Sequence, residues 1–153
     1  MRISAKTDYA VRAAAELAAR SEEGWIKTES VATAQQIPLA FLLNILAELR
    51  TAGLVQSRRG VDGGYRLARP ATEITVADVI RAVDGPLANI AGARPEDMEY
   101  GGAATSLRDT WVALRATMRS VLEAVSLADL AQQKLPEHVT GHLNDDDVWR
   151  ARV

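Results

Sequence analysis

Cysteine is absent from all 153 residues of the chain, so neither a disulfide nor a thiolate metal site can form. Histidine is almost absent as well: His138 and His142 are the two in the chain, both near its end. No nucleophile in the N-terminal half therefore has an imidazole base near it, and an enzyme is not expected. Long apolar runs are missing too. The alanine-rich stretch after Tyr9 is broken by Arg12, Glu16 and Arg20, and no segment approaches the roughly 20 apolar residues of a membrane span. A soluble, cytoplasmic protein with no membrane partner is expected.

Surplus positive charge is missing overall, since the net charge is −2, and that average argues against a polyanion partner. The average hides an asymmetry. Residues 1–81 carry 11 Lys and Arg against 9 Asp and Glu, whereas residues 82–153 carry 7 against 11. Within residues 50–69 there are five arginines, Arg50, Arg58, Arg59, Arg66 and Arg69, and one acid, Asp62, a local balance of +4. Electrostatics points a polyanion toward the first half of the chain.

What that half contains is a helix running into a glycine-tipped basic hairpin. Gly53 can take the left-handed conformation that ends a helix. Leu54 to Ser57 and Tyr65 to Ala68 follow as short strands, and Gly60, Gly63 and Gly64 form a loop able to bring its backbone close to a phosphodiester. The loop Gly60-Val-Asp-Gly-Gly-Tyr65 lacks the lysine and the following Ser or Thr of a nucleotide-binding loop.

Around this hairpin the expected order is helical. Ala5 to Arg20 forms a first helix, with Tyr9, Ala13 and Leu17 on one face. Thr28 is an N-cap candidate for a second helix reaching Gln36. Pro38 opens a third as its first helical residue; there Leu42, Ile45, Leu46 and Leu49 make the buried stripe, and Ala40, Leu43, Asn44 and Ala47 face elsewhere. After the hairpin, Thr75-Val-Ala-Asp78 resembles a capping box and starts a fourth helix. Residues 86–105 read as a long loop. From Ser106 a long helix carries Leu107, Trp111, Leu114, Met118, Val121 and Val125 at heptad spacing. Ser126 caps a short helix that Pro136 closes, and the end of the chain reads as a frayed tail. The division expected is 1–85 DNA-binding domain, 86–105 loop, 106–135 dimerisation helices and 136–153 tail.

Four segments together resemble the Rrf2 family of bacterial transcription regulators. They are Met1-Arg-Ile-Ser-Ala-Lys-Thr-Asp-Tyr-Ala-Val-Arg12, Ile37-Pro-Leu-Ala-Phe-Leu42, Gly53 to Gly60 with Gly63 to Arg69, and Ile74-Thr-Val-Ala-Asp-Val-Ile-Arg-Ala-Val83. The resemblance covers about the first 85 positions and thins afterwards. It implies a mainly α fold with a small β-hairpin wing, that is, a winged helix-turn-helix followed by a long C-terminal dimerisation helix. It also implies a homodimeric repressor on a palindromic double-stranded DNA operator. In this family the arginine before the wing glycine enters DNA, and Arg59 stands there. The expected DNA-contacting set is Lys6, Thr28, Ala40, Leu43, Asn44, Ser57, Arg58, Arg59, Gly60, Gly63 and Gly64. Asn can pair with adenine, and Ala or Leu can touch a thymine methyl. The expected dimerisation set is the six-residue heptad stripe.

Many family members hold an iron-sulfur cluster on three cysteines, often with a histidine, in the loop before the dimerisation helix. Residues 87–108 of this chain have neither, and Thr105 and Arg108 cannot replace thiolate or imidazole. No cofactor is expected. A small-molecule effector near Trp111 ranks first among the remaining signals. His138 and His142 at i, i+4 spacing could share a helical face, but surface histidines are the simpler reading, so no metal is expected. The rival to a DNA-binding regulator is a winged-helix adaptor that binds protein instead.

Overall fold

Ser4 starts the first helix, because its hydroxyl accepts the Thr7 N–H at 3.0 Å and so satisfies one of the unpaired donors of the first turn. The computed structural model describes residues 2–152. Helix α1 (Ala5–Ala19) buries Ala10, Ala13, Ala14, Leu17 and Ala18, and its short side chains leave room for other helices to approach. Helix α2 (Thr28–Gln35) and helix α3 (Leu39–Thr51) cross at 115°, within the range of a helix-turn-helix. The bend starts at Gln36, a non-glycine residue at φ 53°, whose left-handed backbone ends α2. Pro38 stands one position earlier than its spacing suggested: with ψ at 129° it is the extended residue before α3 rather than its first helical one.

At the other end of α3, Gly53 at φ 75° lets the chain turn back. Its N–H bonds the Arg50 carbonyl at 3.0 Å and the Leu54 N–H bonds that of Leu49 at 2.9 Å, a Schellman closure. Strand β1 (Val55–Arg58) then pairs antiparallel with β2 (Gly64–Leu67), in the register Val55 with Leu67 and Arg58 with Gly64. Ile26 adds an antiparallel bridge to β2, exchanging two 2.8 Å backbone hydrogen bonds with Tyr65. The wing is therefore anchored to the segment that leads into α2.

Helix α4 (Val76–Asp84) packs on α1 and α3, and helix α5 (Leu107–Leu122) follows the long connection. That connection contains two 3₁₀ turns, Pro95–Asp97 and Gly102–Ala104, and buries Leu87 and Pro95. The short helix α6 (Leu127–Ala131) does not extend the long one. It returns to α1, and Leu127 lies fully buried in the same core as Leu17, Leu42, Ile45, Leu46, Leu49, Ile74 and Val79. Full burial of each such side chain is worth about 1.5–3 kcal/mol. The core of the winged module is thus closed by residues from beyond α5. Helix α7 (Glu137–Thr140) and two further 3₁₀ turns, Gly141–Leu143 and Asp146–Trp149, complete the tail, where Trp149 donates its indole N–H to the Leu143 carbonyl at 3.1 Å. No single helix is long and apolar enough to cross a membrane.

Candidate nucleic-acid interface

Helix α3 sorts its residues by period. Leu42, Ile45, Leu46 and Leu49 are buried, and Ala40, Leu43 and Asn44, three and four positions apart, form an exposed face near its start. Leu43 is 47% exposed, and Phe41 beside this face is 58% exposed. Phe41 meets the Tyr9 ring edge-on at 6.4 Å, and the Arg12 guanidinium lies 5.2 Å from the centre of that ring. Sequence reasoning missed this aromatic and cationic group, because its members come from two helices and no local spacing links them.

The wing presents the second part of the surface. Arg58, Arg59 and Gly60 are exposed, and among the described residues neither arginine side chain is held by an ion pair or hydrogen bond. A cleft of about 290 Å³ lies at the foot of the wing, lined by Lys27, Thr28, Arg50, Ser57, Arg58 and Arg59. Glu29 is its single carboxylate. The Ser57 hydroxyl accepts a 3.1 Å hydrogen bond from Arg50. Lys27 donates to the carbonyls of Gly60 and Val61 and so ties the wing tip to the start of α2. Lys27 was not legible as a wing residue, since 33 positions separate it from Gly60. Four cations around one acid make this cleft suited to a phosphate backbone.

Three of the expected contact residues also have roles within the fold. Gly63 is buried, and a Cβ there would stand 2.0 Å from the Arg58 carbonyl oxygen. Gly64, at φ 151°, would place one 2.2 Å from the Ile26 oxygen. Their missing side chains let the wing strands and Ile26 close on one another, and both residues also line the cleft at the foot of the wing. Lys6 is drawn inward: its ammonium bonds the Val83 carbonyl and the Glu48 carboxylate, each at 2.8 Å. It joins α1 to α3 and α4 and does not stand with the wing cations.

Helix α5 differs from the others in having no buried residue at all. Leu107, Trp111, Leu114, Met118 and Val121 are each half-buried along one side. Val125 corrects the stripe. It lies past the helix end, is 6% exposed, and its carbonyl accepts the Val76 N–H at 2.9 Å, so it belongs to the protomer interior. Trp111 Nε1 is buried with no acceptor among the described residues. The two histidine rings stand edge to face at 6.0 Å, with His138 Nε2 2.6 Å from the Ser120 carbonyl oxygen, which docks α7 on α5.

A profile of the Rrf2 family, described as iron-dependent transcriptional regulators, matches residues 3–133. A protein of Mycobacterium tuberculosis strain H37Rv, provisionally named an HTH-type transcriptional regulator, is 54% identical over 146 residues, covering 95% of this chain and 90% of its own. The HTH-type transcriptional regulator IscR of Photorhabdus laumondii is 35% identical over 153 residues, with 99% and 91% covered. Among solved structures, CymR, the global cysteine regulator of Bacillus subtilis, superposes with a TM-score of 0.74 at 33% identity over 88% of this chain and 98% of its own.

The iron dependence in the family's description does not fit this donor set. The chain has no cysteine, and among the described residues no three His, Asp or Glu side chains come together as a metal site. The winged architecture, by contrast, fits in full. This chain belongs to the Rrf2 family of transcriptional regulators, a non-enzymatic family with a DNA-binding helix-turn-helix fold.

Proposed function

We propose that the protein is a homodimeric, sequence-specific repressor that acts in the cytoplasm by occupying a palindromic operator, without a cysteine-held cluster. The observation carrying this reading is that α3 keeps an exposed face near its start while the wing keeps two arginines free of any internal partner among the described residues. The exposed face of Ala40, Leu43 and Asn44 supplies base-reading chemistry, and the unpaired Arg58 and Arg59 supply cations. Ser57, Thr28 and Gly60 line the cleft at the foot of the wing with those arginines, where a phosphate backbone would be held.

Dimerisation through α5 is supported by the lack of a buried face on a 16-residue helix. A second copy packed against the Leu107 to Val121 stripe would cover those half-buried side chains. Two copies would present two recognition helices to the half-sites of a palindrome. Repression then needs only that the occupied site overlap a promoter.

A genome-wide binding map followed by titration at several salt concentrations tests the reading. The expected result is a small set of inverted-repeat sites near promoters, with affinity falling linearly in log salt. Absence of salt-sensitive DNA binding would overturn it in favour of a protein-binding adaptor.

A further inference from the structure

A second cleft, of about 450 Å³, opens where α4, the connection after it and α5 meet. Gly85, Pro86 and Leu87 give it an apolar lining, and four arginines stand around it: Arg81 from α4, Arg94 from the connection, and Arg115 and Arg119 from α5. Three of the four come from the half of the chain where acids outnumber bases, 11 to 7 over residues 82–153.

The carboxylates present do not balance the cations. Glu123 accepts from both Arg81 and Arg119, the latter at 3.1 Å, so one carboxylate oxygen serves two guanidiniums. Glu96 accepts from Arg115. Arg94 is exposed and makes no hydrogen bond or ion pair among the described residues. Asp78 adds a more distant contact, 3.8 Å from Arg81. Both glutamates sit below the usual carboxylate range, Glu96 through its own backbone N–H and then Arg115, Glu123 through Arg81 and then Arg119. With all three acids ionised, a net positive charge remains, and five N–H donors per guanidinium leave many unused.

We propose that this cleft binds a small metabolite carrying two or more oxyanion groups, phosphate or carboxylate, and that its binding alters operator affinity. A volume of about 450 Å³ lies within the range of roughly 300–1,000 Å³ typical of small-molecule sites. Guanidiniums are the groups best shaped for bidentate contact with phosphate or carboxylate. The coupling runs through Arg81. It also borders a groove against Ala47, Glu48 and Thr51 in the last turns of α3, and its pairing with Glu123 joins α4 to α5. An anion that draws Arg81 and Arg119 away from Glu123 would loosen the join between the winged module and the dimerisation helix. The regulatory half of the proposal rests on the DNA-binding reading above; the binding half does not.

Calorimetry on the full-length protein, with inorganic pyrophosphate in one arm and citrate in another at matched ionic strength, tests it. Saturable binding of one probe per protomer is expected, and the arm that responds tells phosphate from carboxylate. The R94A/R119A variant, altered at two exposed positions, should bind the probe at least about tenfold more weakly. The wing variant R58A/R59A should bind it as the parent does. Operator affinity should shift with the probe in the parent and stay constant in R94A/R119A. No saturable heat from either probe at millimolar concentration overturns the site, as does loss of binding in the wing variant alone. If instead R94A/R119A weakens self-association and the parent takes up neither probe, carboxylates of a second copy fill the cleft and the proposal fails. Probe binding without any change in operator affinity overturns the regulatory half. Should the protein bind no DNA, the functional reading fails while calorimetry still decides the site.

Discussion

Thr75 and Ser126 face each other across an antiparallel bridge, and each opens a helix with its own capping box. The Thr75 hydroxyl accepts the Asp78 N–H at 3.1 Å and the Asp78 carboxylate returns to the Thr75 N–H at 2.9 Å; Ser126 and Asp129 do the same at 3.1 and 2.8 Å. Backbone bonds from Val76 to Val125 and from Leu127 to Ile74 lock the two helix starts together. This joint brings the chain back from α5 into the core of the winged module.

Ser126→Ala should therefore destabilise the whole winged module, and not only a five-residue helix, by about 0.5–2 kcal/mol. Urea unfolding at fixed protein concentration measures it, because an associating protein changes apparent stability with concentration. An unchanged midpoint would mean that α6 is not part of the cooperative unit.

Gly64→Ala and Gly53→Ala should separate two uses of glycine. At Gly53, where φ is 75° and nothing lies within 4 Å, the cost is one of backbone conformation, about 1 kcal/mol. At Gly64 the new Cβ meets the Ile26 carbonyl at 2.2 Å, so the wing must leave its anchor and the cost is larger. Trp25, whose ring lies 4.2 Å from the Arg66 guanidinium on β2, reports this by fluorescence. Equal stability losses in the two variants would contradict the close approach.

For the wing arginines the expected outcomes differ in kind. Arg59→Ala should weaken operator binding by about 1–3 kcal/mol while hardly changing affinity for unrelated DNA, the mark of a base contact. Arg58→Ala should weaken all sequences alike and reduce the salt slope by about 1, the mark of a phosphate contact. Parent-like operator affinity in Arg59→Ala removes that residue from the interface.

Assembly is checked at Leu114. Leu114→Glu places a carboxylate on the half-buried face of α5, where a partner helix would have to desolvate it without compensation. Sedimentation should show a folded monomer with weakened operator binding, since no residue of α5 is buried within the protomer. A parent protein already monomeric at micromolar concentration rules out the dimer.

Local chemistry was enough to read most of the winged module from the chain itself. Thr75 and Ser126 are caps because a hydroxyl three residues before an amide can bond it, whereas Thr28, expected to cap α2, is its first helical residue after Lys27; Gly53 ends α3 because it lacks a Cβ; and the α3 stripe follows from 3.6 residues per turn. Those are interactions over one or two turns, and sequence spacing encodes them directly. The absence of cysteine excluded a thiolate-held cluster with no structure at all. What the tertiary structure alone decided lies at longer range. Helical periodicity carried the heptad count one step too far, to Val125, because it cannot register that the chain leaves α5 at Leu122 to rejoin Ile74 and Val76. Lys6 read as a free cation until Glu48 and the Val83 carbonyl, 42 and 77 positions away, took up its donors. Gly63 and Gly64 read only as loop glycines, and the Arg58 and Ile26 carbonyls that leave no space for a Cβ there come from folding. The four-arginine cleft left no mark in the sequence, since its cations come from three separate segments that only folding brings together. Electrostatics acts through space, and only folding sets which charges are neighbours.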